Sequence, residues 1–354
     1  MDLNDLINRI GIKPTNKRNE ALDTYIENSN QKREKLETLL SEFLRITSDK
    51  STSTFEGLWS REDVEGYYNY LDKNINNFDF DLADVISLTN NAQLYKIMGS
   101  DYKENSKFGL FLSTLINKNI KGGDKVQLIT SIPIPIHYLF YKLENAEAYV
   151  NIAGDFLGSD AKNSKVYADG VGKLAGNSMR DSELHVKKAG DYLGYGSKNS
   201  KIYAGEAGDY AGSSIKECEL RVKKGGNWLG QEAKNSKIYA DEAGDLAGNY
   251  MRDSELHVKK ADEGLGRDAK NSKIYAGEAG INAGYNMENS ELFIYKLNGN
   301  LADSCFEGNN EIYLGEESYK KFIQNYPKYI NKVKLWEKQK QNVDVGLGDY
   351  YGSK

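Results

Sequence analysis

The chain has 354 residues, 39% of them hydrophobic, with 47 basic and 52 acidic side chains and a formal net charge of −5. That length suits two or three domains with a real core, and the balanced charge excludes bulk attraction to nucleic acid or anionic lipid. Cys218 and Cys305 are too few for a disulfide framework and match no metal-ligand spacing, so reduced thiols in a cytoplasmic protein are expected. Residues 1–12 lack the basic start and apolar stretch of an export signal. The longest apolar run, Leu128 to Tyr141, is short and broken by Pro133 and Pro135, so no membrane span is expected.

Residues 1–124 read as a helical domain. Leu36, Leu39, Leu40, Phe43 and Leu44 follow the spacing of an amphipathic helix, and Ser60 with Asp63 resembles a capping box opening a helix that presents Val64, Tyr67, Tyr68 and Leu71. Further helices are expected from Leu82 to about Met98 and from Phe108 to Ile116. Lys121-Gly122-Gly123-Asp124 is a turn signal. Beyond it, Val126 to Ser131 and Ile134 to Tyr141 read as β-type runs leading into the centre of the chain.

From Gly154 the sequence repeats every 18 residues, eight times over. Position 1 is Gly154, Gly172, Gly190, Gly208, Gly226, Gly244, Asp262 and Gly280; position 5 is glycine in all eight, from Gly158 to Gly284; position 11 is serine except for Cys218. Residues 145–150 form a partial coil before the first repeat, and Asn310 to Leu314 an out-of-register last one. Positions 12 to 15, as in Lys165-Val166-Tyr167-Ala168, alternate polar and apolar with the period of a strand. A four-residue strand every 18 residues leaves no room for hairpins, so the coils should stack as a solenoid, like positions in register about 4.8 Å apart.

Odd and even repeats differ, giving a super-period of 36. Position 4 runs Leu157, Ala175, Leu193, Ala211, Leu229, Ala247, Leu265, Ala283; position 8 runs Ala161, Met179, Ser197, Ile215, Ala233, Met251, Ala269, Met287. Large at one coincides with small at the other, so both should point inward at constant core volume. Position 12 alternates Lys and Glu from Lys165 to Glu291, and position 17 does so from Lys188 to Lys296. Stacking then sets each charge between two opposite ones, which fixes register more than it adds stability. The position-5 glycines are expected at a corner with positive φ, and Asn or Asp at position 10 with Ser at position 11 at the next corner, where short side chains cap turn amides.

The segments Ala189-Gly190-Asp191-Tyr192-Leu193-Gly194 and Gly205-Glu206-Ala207-Gly208-Asp209-Tyr210-Ala211-Gly212, each followed by a short β run, resemble the GXGXG domain. That domain is similar to the C-terminal region of glutamate synthase large subunits and to one of the subunits of formylmethanofuran dehydrogenase. The resemblance spans residues 145–315 and implies a right-handed parallel β-helix that acts as a scaffold for other active centres. It carries no catalytic residues over. Family coils have further glycines before the strand, where this chain has Lys-Asn-Ser or Arg-Asp-Ser, and no glutaminase, flavin or metal domain accompanies it.

Candidate chemistry is sparse. His185 and His257 share position 14 four coils apart, roughly 19 Å at 4.8 Å per coil, too far to share a metal, and Cys218 lies two coils from each, so all three read as ladder residues. No phosphate-binding loop, nucleophile elbow or zinc spacing is present. Two outward rows could bind a partner. Position 14, Tyr167, His185, Tyr203, Arg221, Tyr239, His257, Tyr275 and Phe293, makes an aromatic and cationic stripe suited to docking a partner or a helix of the same chain. Position 9, Lys162, Arg180, Lys198, Lys216, Lys234, Arg252 and Lys270 before Glu288, makes a basic row. That row could track phosphates, or be neutralised by Asp155, Asp191, Asp209 and Asp245 at position 2 or Asp181 and Asp253 at position 10. After a helix from Ser318 to about Gln341, Gly348-Asp349-Tyr350-Tyr351-Gly352-Ser353 begins like positions 1 to 5, as chance in a Gly-rich tail would allow or as a mimic coil on an open solenoid end would require.

The expected architecture is α+β: a helical domain over 1–124, a single-stranded right-handed parallel β-helix with its entry strands over 125–315, and a C-terminal helix and Gly-rich tail over 316–354. The expected role is a non-catalytic scaffold or interaction protein that binds a protein partner or itself, with no cofactor, metal, membrane or identifiable small-molecule substrate. The alternatives are an accessory subunit of an oxidoreductase or amidotransferase complex, as the resemblance implies, and, at lower weight, nucleic-acid binding along the basic row.

Overall fold

A computed structural model describes residues 16–48, 60–75, 80–89, 101–129 and 135–337. Helices come first: α1 (Asn16–Ser48), α2 (Arg61–Asn74), α3 (Leu82–Thr89) and α4 (Tyr102–Asn119). Leu39, Leu40 and Phe43 of α1 are buried and Leu36 packs against the core, but Leu44 faces out, because the core stripe is one residue narrower than the spacing suggested. Ser60 caps α2 as expected, its hydroxyl accepting from the Asp63 amide at 3.0 Å. Asp101 caps α4, which is buried from Asn105 to Ile116 and is longer at both ends than its apolar run alone. The helix from Leu82 is described only to Thr89, and its expected extension to Met98 lies outside the described residues.

Twelve strands then form one parallel sheet in sequence order: β1 (Lys125–Leu128), β2 (Glu147–Ile152), β3 (Lys165–Val171), β4 (Glu183–Ala189), β5 (Lys201–Ala207), β6 (Glu219–Gly225), β7 (Lys237–Ala243), β8 (Glu255–Ala261), β9 (Lys273–Ala279), β10 (Glu291–Leu297), β11 (Glu311–Leu314) and β12 (Val333–Leu335). From β2 to β10 each strand pairs in register with the residue 18 further on, as Lys165 with Glu183 and Glu183 with Lys201. Position 9 adds a second parallel ladder of single bridges from Glu144 to Glu288. This is the stacked solenoid that the repeat demanded. Positions 4 and 8 point inward, from Leu157 and Ala161 through Ala283 and Met287, all buried.

The corners follow from backbone chemistry. Positions 3, 5, 7 and 10 all carry positive φ, as at Tyr210 (62°), Gly212 (68°), Ser214 (57°) and Glu217 (56°). Glycine is demanded at position 5 for a second reason: a Cβ on Gly212 would overlap the Leu220 side chain of the same coil. Position 11 completes the next corner. Its hydroxyl accepts the amide of the preceding coil's position 11, as Ser164 N to Ser182 Oγ at 3.1 Å, and donates to its own position-9 carbonyl, as Ser182 Oγ to Arg180 O at 2.6 Å. Cys218 takes the same place with longer bonds, accepting from Ser200 N at 3.4 Å.

Both ends of the solenoid correct the sequence reading. The partial coil at residues 145–150 belongs to a whole coil, because Ile136 to Ala153 occupies all 18 positions and has positive φ at Tyr138, Phe140, Lys142 and Asn145, the same four corners. It was hidden because Phe140 stands where every later coil has glycine, in the coil whose position 13 shrinks to Ala148; both are fully buried. The run ending at Tyr141 is therefore a turn where it is described, not a strand, and α4 lies on it: Ser113 Oγ donates to Tyr138 O and accepts from Tyr141 N. At the other end, Glu291 pairs with Glu311 across 20 residues, the expected slip. The last helix, α5 (Glu316–Asn325), stops well short of Gln341 because Pro327 follows, and β12 then pairs with β11. The repeat-like residues 348–353 lie outside the described residues. Among the described residues no helix is long and apolar enough to cross a membrane.

Candidate interaction surface

The described residues hold no group of three His, Cys, Asp or Glu side chains placed to bind a metal. Cys218 and Cys305 are buried, and burial raises both thiol pKa values, which disfavours the reactive thiolate. The ladder registers keep His185 and His257 four rungs apart. What the solenoid does present is rows.

The position-14 row faces outward and is half-buried along most of its length. Its rings stack on one another: Tyr167 on His185 at 4.8 Å, His185 on Tyr203 at 4.6 Å, Tyr239 on His257 at 4.9 Å, His257 on Tyr275 and Tyr275 on Phe293 at 4.6 Å, and Phe293 on Tyr313 at 4.4 Å. Arg221 continues the column with its guanidinium 4.2 Å above the Tyr239 ring, held from the side by Glu219 at 2.5 Å. Because the ring faces are occupied within the column, the row offers edges, hydroxyls and ring nitrogens rather than an open stacking platform. Burial lowers the pKa of both His185 and His257, partly offset by Glu183 and Glu255 at 3.4 and 3.5 Å. At its far end the row meets Trp336, 5.5 Å from Phe293. Leu335, Trp336 and Glu337 wall a shallow groove of about 430 Å³ over His257, Tyr275, Phe293 and Tyr313.

The position-9 row is different. Lys162, Arg180, Lys198, Lys216, Lys234 and Arg252 are exposed and Lys270 half-exposed, bridged backbone to backbone in one line. Lys216 reaches Glu217 at 3.8 Å and Lys270 reaches Glu288 at 2.5 Å; among the described residues the other five form no ion pair. The expected neutralisers are engaged elsewhere. Position-2 side chains accept the amide of the next coil, as Lys173 N to Asp155 Oδ1 and Asn227 N to Asp209 Oδ1, both at 2.8 Å, while Asp181 and Asp253 accept Asn199 and Asn271 at 2.5 and 3.1 Å. At Gly172, Gly208, Gly226 and Gly244 the absence of a side chain makes room for this cap, since a Cβ on Gly226 would overlap Asp209 Oδ1, although Asp262 is accommodated at the same position beside Asp245. Sequence reasoning read these carboxylates as counterions and missed their role as corner caps, although Asn227 standing in for Asp at position 2 was a visible sign that an acceptor, not a charge, is needed.

Rows that alternate in sign do pair: Lys165 with Glu183 at 3.3 Å, Lys273 with Glu291 at 2.8 Å and Lys188 with Glu206 at 3.4 Å. No family model, no curated protein and no solved structure matches the chain.

Proposed function

We propose that this protein is a non-catalytic scaffold whose solenoid docks an acidic protein partner along the position-9 row. The observation that carries this reading is the sign of that row. Like charges stacked about 4.8 Å apart repel, and positions 12 and 17 avoid such repulsion by alternating within the same fold. Seven cations in line, five of them without an ion pair among the described residues, therefore suit an anion supplied from outside. A cytoplasmic setting and right-handed winding complete the proposal, and the resemblance to the GXGXG domain adds the alternative of an accessory subunit in an oxidoreductase or amidotransferase complex.

The same row, with five of its seven cations outside any ion pair among the described residues, favours one second reading, a nucleic-acid backbone as the occupant. Titration of a fluorescent oligo-glutamate peptide and of a single-stranded oligothymidylate into the protein separates the two. The scaffold reading expects salt-sensitive binding of the peptide, weakened several-fold in a K198E/K234E variant. Tighter binding of the oligonucleotide, lost in the same variant, would replace the acidic partner by nucleic acid. Equal behaviour of both probes with wild type and variant would remove the row from function.

A further inference from the structure

A cap at position 2 uses one carboxylate oxygen and leaves the charge. Acids stand there in five coils, Asp155, Asp191, Asp209, Asp245 and Glu263, with Lys173, Asn227 and Ile281 in the other three. Asp209 Oδ1 accepts the Asn227 amide and Asp245 Oδ1 the Glu263 amide, at 2.8 and 3.0 Å; among the described residues the second oxygen of each takes no bond. Asp245 and Glu263 are exposed, and the Asp191 side chain is 35% exposed beside Lys173 at 3.0 Å. Next to the acids, position 3 carries Tyr192, Tyr210 and Trp228, half-buried and stacked at 4.7 and 5.7 Å, residue types enriched where proteins meet. The solenoid thus has an acidic row as well as a basic one, on corners set apart by the turns at positions 3, 5 and 7.

We infer that the acidic partner of the position-9 row is the position-2 row of a second copy, so that solenoids associate side by side. This rests on the position-9 row being a docking surface, and the spacing of its cations chooses the occupant. They rise about 4.8 Å per coil. An extended peptide shows one face every second residue, about 6.6 Å, an α-helix every third or fourth, about 4.5 or 6.0 Å, and each strand of a nucleic-acid duplex a phosphate about every 3.4 Å. All three drift out of step with the row, whereas a second solenoid has the same rise and stays in step along its whole length. The signs agree as well. With two copies parallel and level, Lys162, Lys198, Lys216, Arg252 and Lys270 meet Asp155, Asp191, Asp209, Asp245 and Glu263, Lys234 meets Asn227, and Arg180 alone meets a cation, Lys173. Because the two rows are different surfaces, each bound copy keeps one row free and further copies can add.

Sedimentation velocity of the full chain over a range of concentrations, in low and in high salt, is the test. Wild type should form species larger than the monomer that high salt dissociates. K198E/K234E and D191N/D209N/D245N should each weaken self-association several-fold, the second with the fold intact, since Asn227 shows that asparagine keeps the amide bond of the cap. Mixed, the two variants should form a one-to-one complex that grows no further, each supplying the row that the other lacks. D245N/E263Q, at two exposed side chains, takes the place of the triple variant should that not fold. A wild type that is monomeric at every concentration, self-association unchanged in the asparagine variant, or no complex in the mixture would overturn the inference. Oligo-glutamate binding that K198E/K234E weakens, in a chain that stays monomeric, would remove the second copy and keep the row as a docking surface; absence of both would remove that reading too.

Discussion

At the scale of single residues, the fold depends on side chains that act as substitute backbone partners at the corners. Ser236 Oγ accepts the Cys218 amide at 3.1 Å and donates to Lys234 O at 2.8 Å. Ser236→Ala should therefore cost about 1–3 kcal/mol, the penalty for a buried amide without an acceptor, as a drop in urea midpoint. Cys218→Ser should be neutral or stabilising by up to about 1 kcal/mol, because a hydroxyl is the better donor and acceptor in that place. His137 is the histidine version of the same device: its Nδ1 accepts the Asp155 amide at 2.8 Å, as Asp and Asn do at position 2 of later coils, with Tyr102 of α4 packed on the ring at 4.2 Å. Burial holds its pKa below the ordinary value of about 6.5, Asp155 only partly opposing this, and burial acts in the same direction on His185 and His257. An unfolded chain thus binds protons more readily than the folded one. Histidine-linked stability is complete above about pH 6.5 and falls as pH drops through the depressed values, so melting temperature should decline on acidification. His137→Asn keeps an acceptor without a titrating ring and should flatten that decline; an unchanged pH profile would exclude His137 from it.

At the scale of elements, the paired strands were legible because burial and charge repeat at fixed positions. Positions 4 and 8 declared themselves inward by compensating volumes, and the Lys/Glu alternation at position 12 fixed which rung lies beside which. Reversing one charge should expose the cost. Lys237→Glu would place a new carboxylate between Glu219 and Glu255, three acids in one column, and should lower stability by about 0.5–2 kcal/mol in low salt, less in high salt. Elements without that redundancy were read less well. The first coil was disguised by Phe140, the three-residue β12 is too short to show a period, and α5 was overextended past a proline. The aromatic row was found but its character was not, since stacking between rungs is a property of the assembled column.

At the scale of the whole molecule, one hydrophobic core runs without a break from Leu39 in α1 to Val333 in β12, so the helices close the first coil and α5 the last. Phe306 stacks on Tyr329 at 4.0 Å and lies 5.9 Å from Phe322 of α5 in that second closure. Removing α5 should thus unravel the rod from its C-terminal end, seen as faster amide exchange in β10 and β11 than in β5. The candidate surface was legible at this scale only in part. The sequence shows that seven basic residues share a position, but not that the neighbouring acids are held by backbone amides or asparagine side chains, so that among the described residues five of the seven form no ion pair.

The 36-residue super-period also makes the length of this rod a quantity that changes in fixed steps. Excising residues 208–225 would set Lys201 beside Lys237 and Leu193 beside Leu229, clashing in charge and in volume at once. Excising 208–243 would set Lys201 beside Glu255 and Leu193 beside Ala247, a join already present elsewhere in the chain. The shorter excision should therefore be the more damaging, with the lower melting temperature of the two. Growth or loss of the solenoid, in the laboratory or over its history, is thereby confined to increments of two coils, about 9.6 Å of axis at a time, as if the molecule were cut from a graduated ruler.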